Sequence, residues 1–184
     1  GGEARSPDFP LEDAHQSSFS GLSIGWLAQF DENQDLEWST FVGGTTSQGV
    51  VTDIIANSSG EIFLIGRTED VTLGTTGVFQ EEPLNIEHAF GYLAKYSSGG
   101  IPIWWTYISD PTAAAGITAV ALSSNEETVY VVGTTSGTLQ FEESSHQVEA
   151  AGSLDATLYA FDAYEGTLDW GTYLGGADAD LASD

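Results

Sequence analysis

Glu37-Trp38-Ser39-Thr40-Phe41-Val42-Gly43-Gly44 returns twice along the chain. It recurs as Ile103-Trp104-Trp105-Thr106-Tyr107-Ile108-Ser109-Asp110 and as Asp169-Trp170-Gly171-Thr172-Tyr173-Leu174-Gly175-Gly176. Trp38, Trp104 and Trp170 stand 66 residues apart, and so do Phe41, Tyr107 and Tyr173. Self-similarity at a fixed period of this size is the signature of a repeat architecture. Such a protein usually works through the surface that its copies build together, not through one reactive residue.

The rest of the period keeps the same register. An aromatic precedes the Trp by eight residues in Leu27-Ala28-Gln29-Phe30 and in Leu93-Ala94-Lys95-Tyr96, and Leu158-Tyr159-Ala160-Phe161 follows with a slip of one. The other half of the unit runs over residues 52–66 and again over 118–133. Each half is a pair of short runs rich in β-branched and aromatic residues, set around Asn, Ser, Gly and Asp, which is the pattern of a hairpin. No stretch keeps a 3.6-residue apolar period, so the chain is expected to be all-β. Two hairpins per unit make four antiparallel strands, and tandem four-stranded units predict a β-propeller segment. A single four-stranded sheet cannot cover both of its faces, but stacking copies buries them. Trp38, Trp104, Trp170, Phe41, Tyr107 and Tyr173 are therefore read as core packing between copies. The competing reading makes the Trp an aromatic platform for sugars. Trp26 and Trp105 lie outside the recurring columns and are the better candidates for a surface role.

The rows Trp-Ser-Thr-Phe-Val-Gly-Gly and Trp-Gly-Thr-Tyr-Leu-Gly-Gly, with Ser-Ser-Gly, Gly-Arg-Thr or Gly-Thr-Thr, Asp-Phe-Pro and Val-Phe-Gln around them, resemble the bacterial SBBP repeat, a seven-bladed β-propeller family. The resemblance spans nearly the whole chain and weakens in the linkers 69–87 and 136–153. Ser109-Asp110 departs from the Gly-Gly of the pattern. What the resemblance implies is a secreted or cell-surface bacterial protein, often large, with no catalytic motif to carry over.

The register divides the chain into 1–44, the second half of a blade with its link onward, full repeats at 45–110 and 111–176, and the opening of another at 177–184. That makes about two and a half blades, bounded on either side by the counterpart of the 52–66 hairpin. A propeller closes with roughly four to eight blades. The expected partners are thus further blades of the same polypeptide or neighbouring copies, which form a filament if their rotation does not close.

Three Lys and Arg oppose 28 Asp and Glu, a formal charge of −25. Such a surface repels phosphates and argues against nucleic acid. No membrane insertion is expected, and the absence of Cys removes disulfides from the account. The acidity serves solubility, or its carboxylates bind calcium. Asp31, Asn33 and Asp35 alternate as calcium ligands do, on a predicted turn that such residues also favour for its own sake. Asp178, Asp180 and Asp184 form a second alternating set, with no acidic counterparts in the other copies. Asn57-Ser58-Ser59 is a glycosylation sequon. His15, His88 and His146 fall in linkers, out of register, and no nucleophile, phosphate-loop or zinc-protease motif is present. The reading is a non-enzymatic extracellular scaffold, structural or adhesive, whose linkers carry any recognition, surface glycans included. The alternative is a carbohydrate-binding or lyase-like propeller with its site at the central channel, against which stand the small apolar inner strands Ile54-Ile55-Ala56 and Val120-Ala121-Leu122.

Overall fold

The short apolar runs form strands wherever a turn residue separates two of them. The computed structural model describes residues 1–6, 8–45, 48–87, 89–139 and 141–183. It is all-β, with no helix among those residues. β1 (Gly2–Ala4), β2 (Ile24–Phe30) and β3 (Leu36–Val42) make a three-stranded sheet. β4 (Gly49–Ala56), β5 (Ile62–Thr68), β6 (Phe90–Tyr96) and β7 (Pro102–Ile108) make a second sheet. β8 (Ala115–Leu122), β9 (Thr128–Thr135), β10 (Asp155–Asp162) and β11 (Leu168–Leu174) make a third. Every pair within the sheets is antiparallel, and sequential strands are neighbours throughout.

Turn chemistry sets the hairpins. The Asn57 Oδ1 accepts the N–H groups of Ser59 and Glu61, and Gly60 takes a φ of +79°. Gly100 and Gly166 both take a φ of +73° in the turns before β7 and β11, a conformation that a side chain disfavours. A bulge interrupts the β2–β3, β6–β7 and β10–β11 ladders one or two pairs from the turn, beside Gln29, Lys95 and Ala160. Gly2–Ala4 pair with β2 where Gly66–Thr68 pair with β6, as Gly2 opposite Trp26 and Gly66 opposite Tyr92. β1 thus takes the place in the first sheet that the end of β5 takes in the second, so residues 2–4 belong with the first hairpin of the unit and not with the second half that the register assigns to 1–44.

The sheets stack. β4 packs on β1 and β2, and β8 packs on β4, β5 and β6, so the first strand of each four-stranded sheet stands nearest the sheet before it. The Asp53 carboxylate on β4 reaches across to accept the Val120 N–H on β8 at 3.0 Å. Two apolar layers result. Leu27, Trp38, Val51, Leu64, Tyr92 and Trp105 fill the layer between the first and second sheets. Phe63, Trp104, Ile117, Val131, Tyr159 and Tyr173 belong to the layer between the second and third. A smaller group, Ile24 and Phe41 under Phe9, Leu11 and Phe19, covers the far face of the first sheet.

Candidate functional site

The recurring row does two separate jobs, one through the face of its strand and one along the strand's outer edge. Its Trp points toward the next sheet. Trp38 is 7% exposed and lies against Gly100, where a Cβ would come within 2.8 Å of the indole ring. Trp104 is 5% exposed and lies in the same way against Gly166, where a Cβ would come within 2.9 Å. Each joint is an indole seated on a left-handed glycine in the turn of the following sheet, which admits the ring because no side chain stands there. Trp170, on the last sheet, is 43% exposed. The sequence reading expected all three Trp to be core, and Trp170 differs because no turn covers it among the described residues. Its surroundings are otherwise prepared. The Phe63 and Trp104 rings are 6.2 Å apart at 53°, and Tyr130 and Trp170 are 6.3 Å apart at 54°.

The two covered indoles differ in one atom's partner. The Trp38 Nε1 donates to the Gln29 Oε1 at 3.1 Å and to the Ser98 carbonyl at 3.0 Å. The Trp104 Nε1 is buried with no hydrogen-bond partner among the described residues. The counterpart of Gln29 is Lys95, which has no acceptor to offer. The Lys95 ammonium instead meets Glu61 at 2.9 Å and lies 5.4 Å from the Phe63 ring centroid and 5.7 Å from that of Tyr164. The Lys95 hydrogen bond holds the Glu61 carboxyl below the usual range.

The Thr and the following aromatic of the row, though their side chains take opposite faces, both meet the linker along the outer edge of the strand. Thr40, Thr106 and Thr172 accept the N–H groups of Gln16, Gln80 and Gln147. Phe41, Tyr107 and Tyr173 donate their N–H groups to the carbonyls of the same three Gln. The Oε1 of Gln80 takes the Ser109 N–H, and that of Gln147 takes the Gly175 N–H. Tyr107 and Tyr173 add a hydroxyl tie to the Asp70 and Leu139 carbonyls. The outer edges of β3, β7 and β11 are therefore covered by their own linkers, which leaves no open strand edge on that side of the sheets. Phe41, Tyr107 and Tyr173 are fully buried. Sequence reasoning treated the linkers as variable and missed these three Gln. The available signal was their shared distance before the row, blurred by slips of one or two residues.

Other sequence candidates resolve locally. Trp105 is buried between Tyr92 and Tyr96 and does not reach the surface. In the third sheet Gly171 takes its place, and the Phe141 ring fills the space above it. Trp26 is half-buried against Phe9. The Asp31 carboxylate caps its own turn, accepting the Asn33 and Asp35 N–H groups at 2.8 Å and the Asn33 amide. The Asp35 N–H contributes most to holding its carboxyl below the usual range. The Asn57 amide donates to Glu61, and Ser58 donates twice to Glu126 of the third sheet, so the sequon is tied into the stack. His15 and His146 are exposed, whereas His88 and Asp184 lie outside the described residues. Among the described residues, no three His, Cys, Asp or Glu side chains group as a metal site, and no helix is long and apolar enough to cross a membrane.

The outward face of the third sheet, which carries Trp170, is left uncovered among the described residues. Along the outer edge of β11 runs a groove of about 560 Å³, lined by Trp170 and Asp169, by Phe141, Glu142 and Glu143 of the preceding linker, and by Phe79. No family model matches the chain, and no curated protein matches it.

Proposed function

We propose that this chain is part of a β-propeller built from 66-residue repeats, about two and a half blades of it, serving as a non-enzymatic structural or adhesive scaffold outside the cell or on its surface. The observation that carries this reading is the Trp-on-glycine joint. It is made twice in equivalent geometry and stands ready a third time at Trp170 and Tyr130. A ready joint on an exposed aromatic face is what a stack presents to its next member. The SBBP resemblance supports the extracellular placement, and the charge of −25 supports a soluble surface.

The partner at the open face is a further blade with a left-handed glycine in its turn. The first sheet of a neighbouring copy fits poorly, because Gln34 stands where Gly100 and Gly166 stand, at a φ of +71°. Its Cβ would meet the incoming indole as a Cβ on either glycine would meet Trp38 or Trp104. That favours further blades of the same polypeptide over head-to-tail copies.

The glycan-binding alternative draws on the groove beside Trp170, where aromatic rings and carboxylates meet as sugar sites require. That groove follows β11, at the opposite edge of its sheet from β8, so it does not coincide with a central channel. An antibody to the chain, applied to intact source cells with and without external protease, tests the placement. Protease-sensitive surface signal is expected, and signal seen only after lysis contradicts it. A glycan array probed with the wild type and Trp170→Ser tests the alternative, which requires binding that the variant loses.

A further inference from the structure

The best-buried carboxylate of the third sheet stands in an apolar column. On the equivalent ladders β1–β2, β5–β6 and β9–β10, Ile24 pairs with Ala4, Phe90 with Thr68, and Asp155 with Thr135. Ile24 and Phe90 are core residues, and Phe90 packs edge-on against Tyr107 at 5.2 Å. Asp155 occupies the equivalent place at 0% exposure. A carboxylate there is unfavourable unless every oxygen is compensated. Its Oδ2 is compensated, by the N–H groups of Ala151 at 2.7 Å and Gly152 at 3.0 Å. Its Oδ1 is buried with no hydrogen-bond partner among the described residues.

That orphaned oxygen lies against the bare Gly175, where a Cβ would come within 1.9 Å of it, and in the neighbourhood of two main-chain carbonyls. The segment after β11 folds back onto the approach to β10, with Ala179 bridged to Leu154 and the Asp180 N–H donating to the Leu154 carbonyl at 2.7 Å. This brings main-chain carbonyls of the 176–178 stretch beside Asp155. A Cβ added to Gly152 would lie 2.3 Å from the Asp178 carbonyl oxygen, 2.5 Å from that of Gly176 and 3.2 Å from the Asp155 Oδ1. Three oxygens therefore crowd the bare flank of Gly152. Each is an acceptor, and a carbonyl keeps a second lone pair when its first is used. Acceptors that face one another repel unless a positive charge joins them. The side chains of Asp178 and Asp180 add negative charge on the same short segment.

We propose that Asp155, with the carbonyls of Gly176 and Asp178, binds a hard divalent cation of the calcium class, which pins the segment after β11 to the start of β10. Oxygen-only ligands, two of them carbonyls, suit calcium and not zinc, whose sites use nitrogen and sulfur. Calcium takes six to eight oxygens, so water and the flanking carboxylates complete the shell. A site with so few anionic ligands falls in the weak range of extracellular modules, on the order of 10⁻⁴ to 10⁻³ M. The Asp31 turn is a different place, and its carboxylate is already filled by its own backbone.

Thermal melts and calorimetric titration of the whole chain test the site, with calcium, with magnesium at equal concentration, and with chelator. Calcium at about 10 mM is expected to raise the wild-type melting temperature by at least about 3 °C, and magnesium by clearly less. The magnesium arm matters because any divalent cation screens a chain of charge −25. Asp155→Asn keeps the shape and supplies a donor to the carbonyls. It is expected to lose the calcium response and to equal or exceed the wild type in chelator. Equal shifts from calcium and magnesium, no calcium binding by calorimetry, or an undiminished response in Asp155→Asn would each overturn the proposal. If Asp155→Asn does not fold, the wild-type comparison of calcium with magnesium decides alone.

Discussion

A single substitution distinguishes the two covered indoles: Gln29 beside Trp38 has become Lys95 beside Trp104. A buried donor left without an acceptor costs about 1–3 kcal/mol. The Lys95–Glu61 pair offsets part of this, but Glu61 is partly open to solvent, and such pairs contribute about 0–1 kcal/mol. Lys95→Gln restores the acceptor that Trp38 enjoys, whereas Lys95→Met removes the cation without supplying one. In urea unfolding, Lys95→Gln is expected to be more stable than Lys95→Met by about 1 kcal/mol or more. Equal stabilities would show that the Trp104 indole gains nothing from an acceptor. None of this was legible in the sequence, where Lys95 read as one more residue of a strand. Its meaning comes from the ring it sits beside, 66 residues along from Gln29.

The joint belongs to the element scale, because it needs a strand from one sheet and a turn from the next. Gly166→Ala places a side chain at a φ of +73° and within 2.9 Å of the Trp104 ring. The left-handed conformation alone costs about 1–2 kcal/mol, and the displaced ring adds to it. Gln34→Gly makes the reverse change at a φ of +71°, in a turn that receives no indole among the described residues, and relieves strain. Chemical denaturation is expected to show Gly166→Ala destabilised by roughly 2 kcal/mol or more, and Gln34→Gly unchanged or stabilised. A harmless Gly166→Ala would mean that the indole does not depend on the bare glycine. The sequence announced the strands and turns of this joint through β-branched runs and Gly-rich breaks, and the period put the Trp in equivalent places. It could not tell that Trp170 lies open, because a period reports equivalence and not whether a neighbour is present. Nor could it show the linkers held to the outer strands through Gln16, Gln80 and Gln147, since those contacts are mostly between backbone groups.

At the scale of the whole molecule, two apolar layers between three sheets hold the fold against a charge of −25. Burial pushes the pKa of Tyr92, Tyr96, Tyr107, Tyr159 and Tyr173 above the ordinary value. An unfolded tyrosine ionises near pH 10, so the unfolded chain loses these protons first as pH rises. The stability tied to their neutral form is thus complete below about pH 10 and declines above it. Urea midpoints measured at about pH 8 and about pH 11 should fall between the two, and an unchanged midpoint would place these hydroxyls in water. Central to the account is the proposal that the third sheet's open face, where Trp170 is 43% exposed, receives a further member of the stack. Light scattering of the purified chain over a range of concentrations tests it most directly, beside Trp170→Ser. The account predicts that the wild type associates through its uncovered aromatic face as concentration rises, more weakly than a seat on a glycine turn would allow because Gln34 takes that place in the first sheet, and that Trp170→Ser associates less. A monodisperse, cooperatively melting monomer at every concentration, unchanged by the substitution, would contradict it.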